Sequence, residues 1–228
     1  MIKKIISIAF ISSFVAASAI AGTNVGIKGS YGDMSATGSH TTNSGSIGSG
    51  GSAVSASGDA NFPVGSIFVE KEFELSQVNI IVGLDYVPYD SQIDKLDGGD
   101  GLDATLHIGN IGTLYLQPMF SVNDNLSLFL KAGYTSANID ITELSRQASA
   151  SAGTASTNNT ASTDGSQSKT LEGPVMGVGA QVSFSDSFLR FEYTNTDFDE
   201  IQHTNSNGKV LKAKSDVNMA SISFGKSF

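Results

Sequence analysis

The ten residues Val175-Met176-Gly177-Val178-Gly179-Ala180-Gln181-Val182-Ser183-Phe184 decide the fold. Met176, Val178, Ala180, Val182 and Phe184 alternate with Gly177, Gly179, Gln181 and Ser183. Strict alternation of this length marks a strand with one apolar and one polar face. Ser185 to Ser187 interrupts it, and the pattern resumes over Phe188 to Phe198, with Leu189, Phe191 and Tyr193 against Arg190, Glu192 and Thr194. Two such runs joined by a tight turn read as a β-hairpin.

The same period recurs on both sides. Upstream it covers Asn24 to Tyr31, Ser66 to Leu75, Gln77 to Val87, Gly112 to Phe120 and Leu126 to Ile139. Downstream it covers Val217 to Phe228, where Ala220, Ile222, Phe224 and Phe228 are read against Asn218, Ser221, Ser223 and Gly225. Eight strands result. Ser76-Gln77, Val122 to Asn125 and Ser185 to Ser187 are tight turns, whereas Gly32 to Gly65, Pro88 to Ile111, Asp140 to Pro174 and Asp199 to Asp216 are long connections. Short and long connections alternate, and both termini fall on the short-turn side. That is the layout of an all-β, eight-stranded antiparallel transmembrane up-and-down barrel with four long extracellular loops. Tilted strands of about 9–11 residues match a bilayer, and closure leaves no unpaired edge in lipid.

Composition narrows the function classes. The chain has 228 residues, 25 glycines, no cysteine and no tryptophan, and a formal charge of −9. Without cysteine there is no disulfide framework, thiolate zinc site or iron–sulfur cluster. The acidic balance argues against nucleic acid as a partner.

Residues 1–21 read as a cleaved signal peptide. Lys3 and Lys4 form a basic head, an apolar run extends from Ile5 to Ala17, and Ala19-Ile20-Ala21 is a small-x-small cleavage site. Cleavage leaves a barrel domain of residues 22–228 carrying −11, because both lysines depart with the leader. Within that domain, two low-complexity loops are expected at about 33–65 and 140–174. Ser, Gly, Ala and Thr supply 21 of residues 33–62 and 18 of residues 147–170, a composition too poor in apolar surface to offset ordering entropy. Such loops either meet an external partner or serve as a solubilising brush.

Three stretches resemble the opacity-protein/OmpA-like outer-membrane barrel family. They are Asn123-Asp124-Asn125-Leu126-Ser127-Leu128 through Lys131-Ala132-Gly133-Tyr134, Gly177-Val178-Gly179-Ala180-Gln181 through Thr196-Asp197-Phe198, and Ser221-Ile222-Ser223-Phe224-Gly225-Lys226-Ser227-Phe228. The resemblance implies a monomeric barrel in a Gram-negative outer membrane, in contact with its lipid and lipopolysaccharide. It further implies that Ile222, Phe224 and Phe228 form the signal read by the barrel-assembly machinery. Lys226 departs from that signal, which more often carries an aromatic or apolar residue there.

Candidate sites follow from parity. Lys28, Lys131 and Arg190 fall on the inward face with Glu70, Glu72, Glu74, Asp85 and Glu192. An eight-stranded interior is just wide enough for side chains, and buried charges must pair, so these residues are expected to form an interior charge network that plugs the barrel. The alternative is a narrow porin-like channel for small solutes, with gaps opposite Gly83, Gly133, Gly177 and Gly179. Lys71 shares the lipid-facing parity of Val69 and Phe73; either it snorkels to the headgroups or a bulge resets the register.

Gly98 to Asp103 matches the G-G-x-G-x-D core of calcium-binding repeats. As a single copy it reads first as an acidic solvated loop, with Asp97, Asp100 and Asp103 as its weak calcium candidates. His40, His107 and His203 are not at ligand spacing, and no catalytic constellation emerges. The expectation is a non-enzymatic outer-membrane barrel, without a required cofactor, whose role is structural or surface interaction.

Overall fold

A computed structural model describes residues 22–41, 53–75, 78–98, 102–144, 167–204 and 210–228. Among the described residues, ten strands form one antiparallel sheet: β1 (Thr23–Thr41), β2 (Ala53–Glu74), β3 (Asn79–Tyr86), β4 (Ser91–Gly98), β5 (Leu102–Ser121), β6 (Leu126–Leu144), β7 (Gln167–Phe184), β8 (Ser187–Asp197), β9 (Ile201–Thr204) and β10 (Val210–Ser227). Eight of them close a ring in the order β1-β2-β3-β5-β6-β7-β8-β10, with β10 returning to β1. The closing ladder runs from Asn24 opposite Ser227 to His40 opposite Leu211. At its foot Gly22 N–H donates to the Phe228 carbonyl at 2.7 Å, and Phe228 N–H donates to Thr23 at 2.9 Å.

The tight turns are built from local chemistry. Asn123 Oδ1 accepts from the N–H groups of Asn125 and Leu126 at 3.0 and 2.9 Å, fixing the β5–β6 turn. Ser185 takes φ of +57° in the β7–β8 turn, which suits the twist of a short hairpin.

Alternation sorts the side chains as the period requires. Ile27, Leu114, Leu116, Leu128, Leu130, Met176, Val178, Phe191, Ile222 and Phe224 lie exposed around the outside. Tyrosines Tyr31, Tyr134 and Tyr193 rim this belt toward the long-strand end, and Phe73, Phe120, Phe184 and Phe228 rim it toward the turn end. Glu70, Lys131, Arg190 and Glu192 are buried inside. An apolar exterior between two aromatic girdles, around a charged interior, is the arrangement a bilayer selects.

Several expectations need correction. The strands run far beyond 9–11 residues: β1 has 19 and β2 has 22. Most of the loop expected at 33–65 is therefore strand, as are 140–144 and 167–174 of the other, while 42–52 and 145–166 lie outside the described residues. Small polar residues can extend a ladder that their neighbours already template. In addition, Met34, Phe62, Val64, Ile139 and Leu171 continue the inward parity and bury together. Likewise 88–111 holds β4 hairpinned to β5, and 199–216 holds β9 paired with β10. Asn218 shares the parity of Ala220 and lies on the outer wall, where its Oδ1 accepts from Asn195 at 3.0 Å.

The Lys71 question is resolved by register. The β1–β2 and β2–β3 ladders run without a shift through Lys71, opposite Thr23 and Val82. No bulge occurs there. Lys71 sits at the turn end, level with the first residue of β1.

Past the belt, the ring divides. The β2–β3 ladder stops at Ile67 and the β7–β8 ladder at Val175. Among the described residues, no ladder joins β2 to β4 or β7 to β9. The strands there form two four-stranded sheets, β9-β10-β1-β2 and β4-β5-β6-β7, facing each other.

Candidate functional site: the barrel interior

The interior is filled in three layers. Nearest the turns, Arg190 from β8 meets Glu70 from β2 in a two-point pair, Nη1 to Oε1 at 2.6 Å and Nη2 to Oε2 at 3.1 Å. Gln181 Oε1 accepts from Arg190 Nε and Nη2 at 3.2 and 2.9 Å. Tyr115 O–H donates to Glu70 Oε1 at 2.6 Å. The guanidinium carbon lies 4.9, 5.4 and 5.6 Å from the ring centres of Phe188, Phe129 and Phe68. A delocalised cation is suited to such a cage, where attraction to the ring faces offsets part of its lost hydration.

Space for these rings comes from glycine. Phe68 stands opposite Gly26, Tyr115 opposite Gly83, Phe129 opposite Gly179 and Phe188 opposite Gly225. Each ring lies where a Cβ on its glycine partner would sit. A flat ring laid over a cross-strand glycine fills the wall without a void. The gaps expected opposite Gly83, Gly133 and Gly179 are therefore occupied, by Tyr115 at the first two and Phe129 at the third; Gly177 faces Thr194.

The second layer is ionic. Lys28 Nζ lies 2.5 Å from Asp85 Oδ2 and 3.8 Å from Glu192 Oε1. Lys131 pairs with Glu192 through Oε2, and its ammonium stands 3.9 Å above the Tyr115 ring centre. With Arg190 and Glu70, three cations meet three carboxylates, so the buried charge is balanced within the barrel. A cavity of about 40 Å³ adjoins this layer, lined in part by Lys28, Ser66, Asp85, Lys131 and Glu192. It has room for roughly three waters.

The third layer is apolar and was missed by sequence reasoning. Met34, Phe62, Val64, Val87, Ile108, Ile111, Ala137, Ile139, Leu171, Phe198 and Val217 form one buried cluster, between the two facing sheets. The signal was present: Phe62 and Val64 continue the even parity of Ser66 and Phe68, and Phe198 continues that of Thr194 and Thr196.

The other expected site residues fall elsewhere. Glu72 bonds neutral amides, accepting from Asn79 Nδ2 at 2.7 Å and Asn24 Nδ2 at 3.4 Å. Among the described residues it joins no ion pair, because it sits one pleat closer to the turn rim than Glu70, opposite Ile81 on β3 and beside Asn79. Glu74 is exposed at the rim. Ile222, Phe224 and Phe228 lie on the outer wall. Asp97 and Asp103 stand opposite each other on β4 and β5, whereas Asp100 lies outside the described residues. Among the described residues, no group of three or more His, Asp or Glu side chains could hold a metal ion.

Neisserial surface protein A shares this fold, with a TM-score of 0.50 at 11% identity over 91% of this chain and 98% of its own. The fold is that of a small outer-membrane barrel. OprG of Pseudomonas aeruginosa matches with a TM-score of 0.49 at 12% identity, over 91% of this chain and 97% of its own. The Escherichia coli outer-membrane protease OmpT matches with a TM-score of 0.44 at 10% identity, over 90% and 96%. No protein-family model matches the chain, and no curated protein does.

Proposed function

We propose that the chain is a non-conducting, non-enzymatic barrel of a Gram-negative outer membrane that acts by surface contact through its long-strand end. The carrying observation is the three-layer filling of the lumen, in which an Arg190–Glu70 pair, an ionic layer and an apolar cluster succeed one another. An ion would have to break buried charge pairs and then cross an apolar constriction, and each step is costly. Chemistry is disfavoured by the same packing, because each interior carboxylate of the network already has a cationic partner.

On this reading residues 1–21 direct export, the turn end faces the periplasm, and the assembly machinery reads Ile222, Phe224 and Phe228. What remains for function is the pair of sheets past the tyrosine girdle, which project beyond the lipid as a monomer's contact surface. Because the chain has no cysteine, single reporters are clean. Gly58→Cys, at the long-strand end, should react with a membrane-impermeant maleimide on intact cells, whereas Asp186→Cys, in the β7–β8 turn, should react only after permeabilisation. The reverse pattern would overturn the orientation and the contact role with it.

A further inference from the structure

The lipid-facing wall is not evenly filled. Most outward positions of the belt carry a large apolar side chain, but a groove crosses β10, β1 and β2. Ile222, Phe224, Ile27 and Ile67 form its sides, Gly29 its floor, and Tyr89 from the β3–β4 connection its far wall. Its volume is about 580 Å³, and a second concavity sharing Gly29, Gly65, Tyr89 and Ile222 continues it toward Tyr31.

The local sequence builds this groove. Gly29 and Gly65 face each other across the β1–β2 ladder, with the outward parity of Ile27 and Ile67. A strand glycine has no side chain to pack and often marks the close approach of another group. At Gly65 that group is Tyr89, whose hydroxyl accepts the Gly65 N–H and would lie only 2.6 Å from a Cβ. At Gly29 no described residue takes that place, and a Cβ would meet open space. The flanking side chains are turned outward, with Ile27 at 64%, Tyr31 at 59% and Ile222 at 49% exposure. Lys28, Ser66 and Ser223 also border the groove, but their side chains are directed into the lumen. The surface offered outward is therefore hydrocarbon.

The belt identifies the neighbour, because what lies against this wall is the hydrocarbon of the bilayer. The headgroup follows from charge. The next outward residue on β1 after Tyr31 is Asp33, about 7 Å further along the strand, and Asp59 lies exposed on β2. There is no Lys or Arg between Lys28 and Lys71. Anionic lipid headgroups are recognised by clustered lysine and arginine, and like charges brought together are disfavoured. A headgroup ending in an ammonium meets these carboxylates instead. We infer that the groove over Gly29 binds one acyl chain of an ethanolamine-type phospholipid, with the headgroup ammonium directed at Asp33. The inference needs only the lipid-facing belt, so it stands or falls independently of the sealed lumen and the surface-contact role.

Because the chain has no tryptophan, one introduced indole reports its own neighbours. Tyr31→Trp places it at the groove, and Tyr134→Trp places it at the same girdle, half-way round the ring. Each barrel is inserted into phosphatidylglycerol vesicles that hold a minor fraction of phosphatidylethanolamine brominated on its chains, a quencher on contact. Folding is verified by migration of the unheated protein on gels. The inference predicts saturable quenching at Tyr31→Trp, at least about threefold more efficient than at Tyr134→Trp. Adding Gly29→Leu, whose side chain enters the open space, should lower it to the Tyr134→Trp value. Brominated phosphatidylglycerol should show no preference between the two positions. Equal quenching at both reporters by the ethanolamine lipid would mean ordinary solvation by the bilayer and overturn the inference. So would equal enrichment of the two lipids at Tyr31→Trp, or quenching that Gly29→Leu leaves undiminished. Weaker quenching at Tyr31→Trp than at Tyr134→Trp would overturn it in favour of a second copy seated in the groove.

Discussion

Arg190 and Glu70 meet through two bonds, 2.6 and 3.1 Å, from strands that are not neighbours and are separated by 120 residues of sequence. Their encounter fixes the lumen because three aromatic rings enclose the guanidinium, and Tyr115 and Gln181 add bonds that hold the pair in place. Removing one member strands the other charge in a dry site. Arg190→Met or Glu70→Ala alone should cost roughly 3–5 kcal/mol, and the double variant less than the sum of the two. Urea unfolding of the barrel in micelles measures this; additive losses would show that the pair is not coupled.

Ring-over-glycine packing is tested at Gly179, where Phe129 fills the space a side chain would need. Gly179→Val should cost about 1–3 kcal/mol through overpacking. Pairing it with Phe129→Ala should recover part of that loss. If Gly179→Val alone is neutral, the ring does not occupy that space in solution.

Depth in the bilayer separates two lysines on the lipid-facing side. Val178 lies on the exposed wall near mid-belt, so Val178→Lys should cost about 2–4 kcal/mol. Lys71 lies at the turn rim, opposite Thr23, and Lys71→Leu should change stability by no more than about 0.5 kcal/mol. Equal and large effects at both sites would contradict the assigned belt.

The contact between β10 and the β7–β8 turn carries a pH signature. Lys226 Nζ lies 3.0 Å from Asp186 Oδ2, and the bond from Lys226 holds the Asp186 carboxyl below its ordinary value of 3.8. A carboxyl depressed in the folded state stabilises above its unfolded pKa and loses that contribution as pH falls through the folded one. Stability of the parent should therefore fall between about pH 5 and pH 2 more than that of Asp186→Asn. The difference should be small, because both groups are exposed. Parallel curves would remove the pair from the account.

Much of this was legible because a strand wall obeys a period of two. Parity alone put Lys28, Glu70, Asp85, Lys131, Arg190 and Glu192 on one face, and the structure brings these six together in the lumen. Parity does not report length along the barrel, so Glu72 went unseparated from Glu70. Nor does composition report templating: Ser, Gly, Ala and Thr in 33–41 and 53–61 form strand because neighbouring ladders supply their partners. Pro174 was read as a loop end, although it stands at the start of a seam in the wall. Inward glycines were read as gaps, because the aromatic residue covering each one is on the next strand.

The central claim is that the lumen is sealed, and single-channel recording in a planar bilayer tests it most directly. With residues 22–228 refolded and inserted, the account predicts no steady conductance, and none in Glu70→Ala while the apolar layer of Phe62, Val64, Phe198 and Val217 remains. Reproducible, long-lived steps from the unaltered barrel would contradict it.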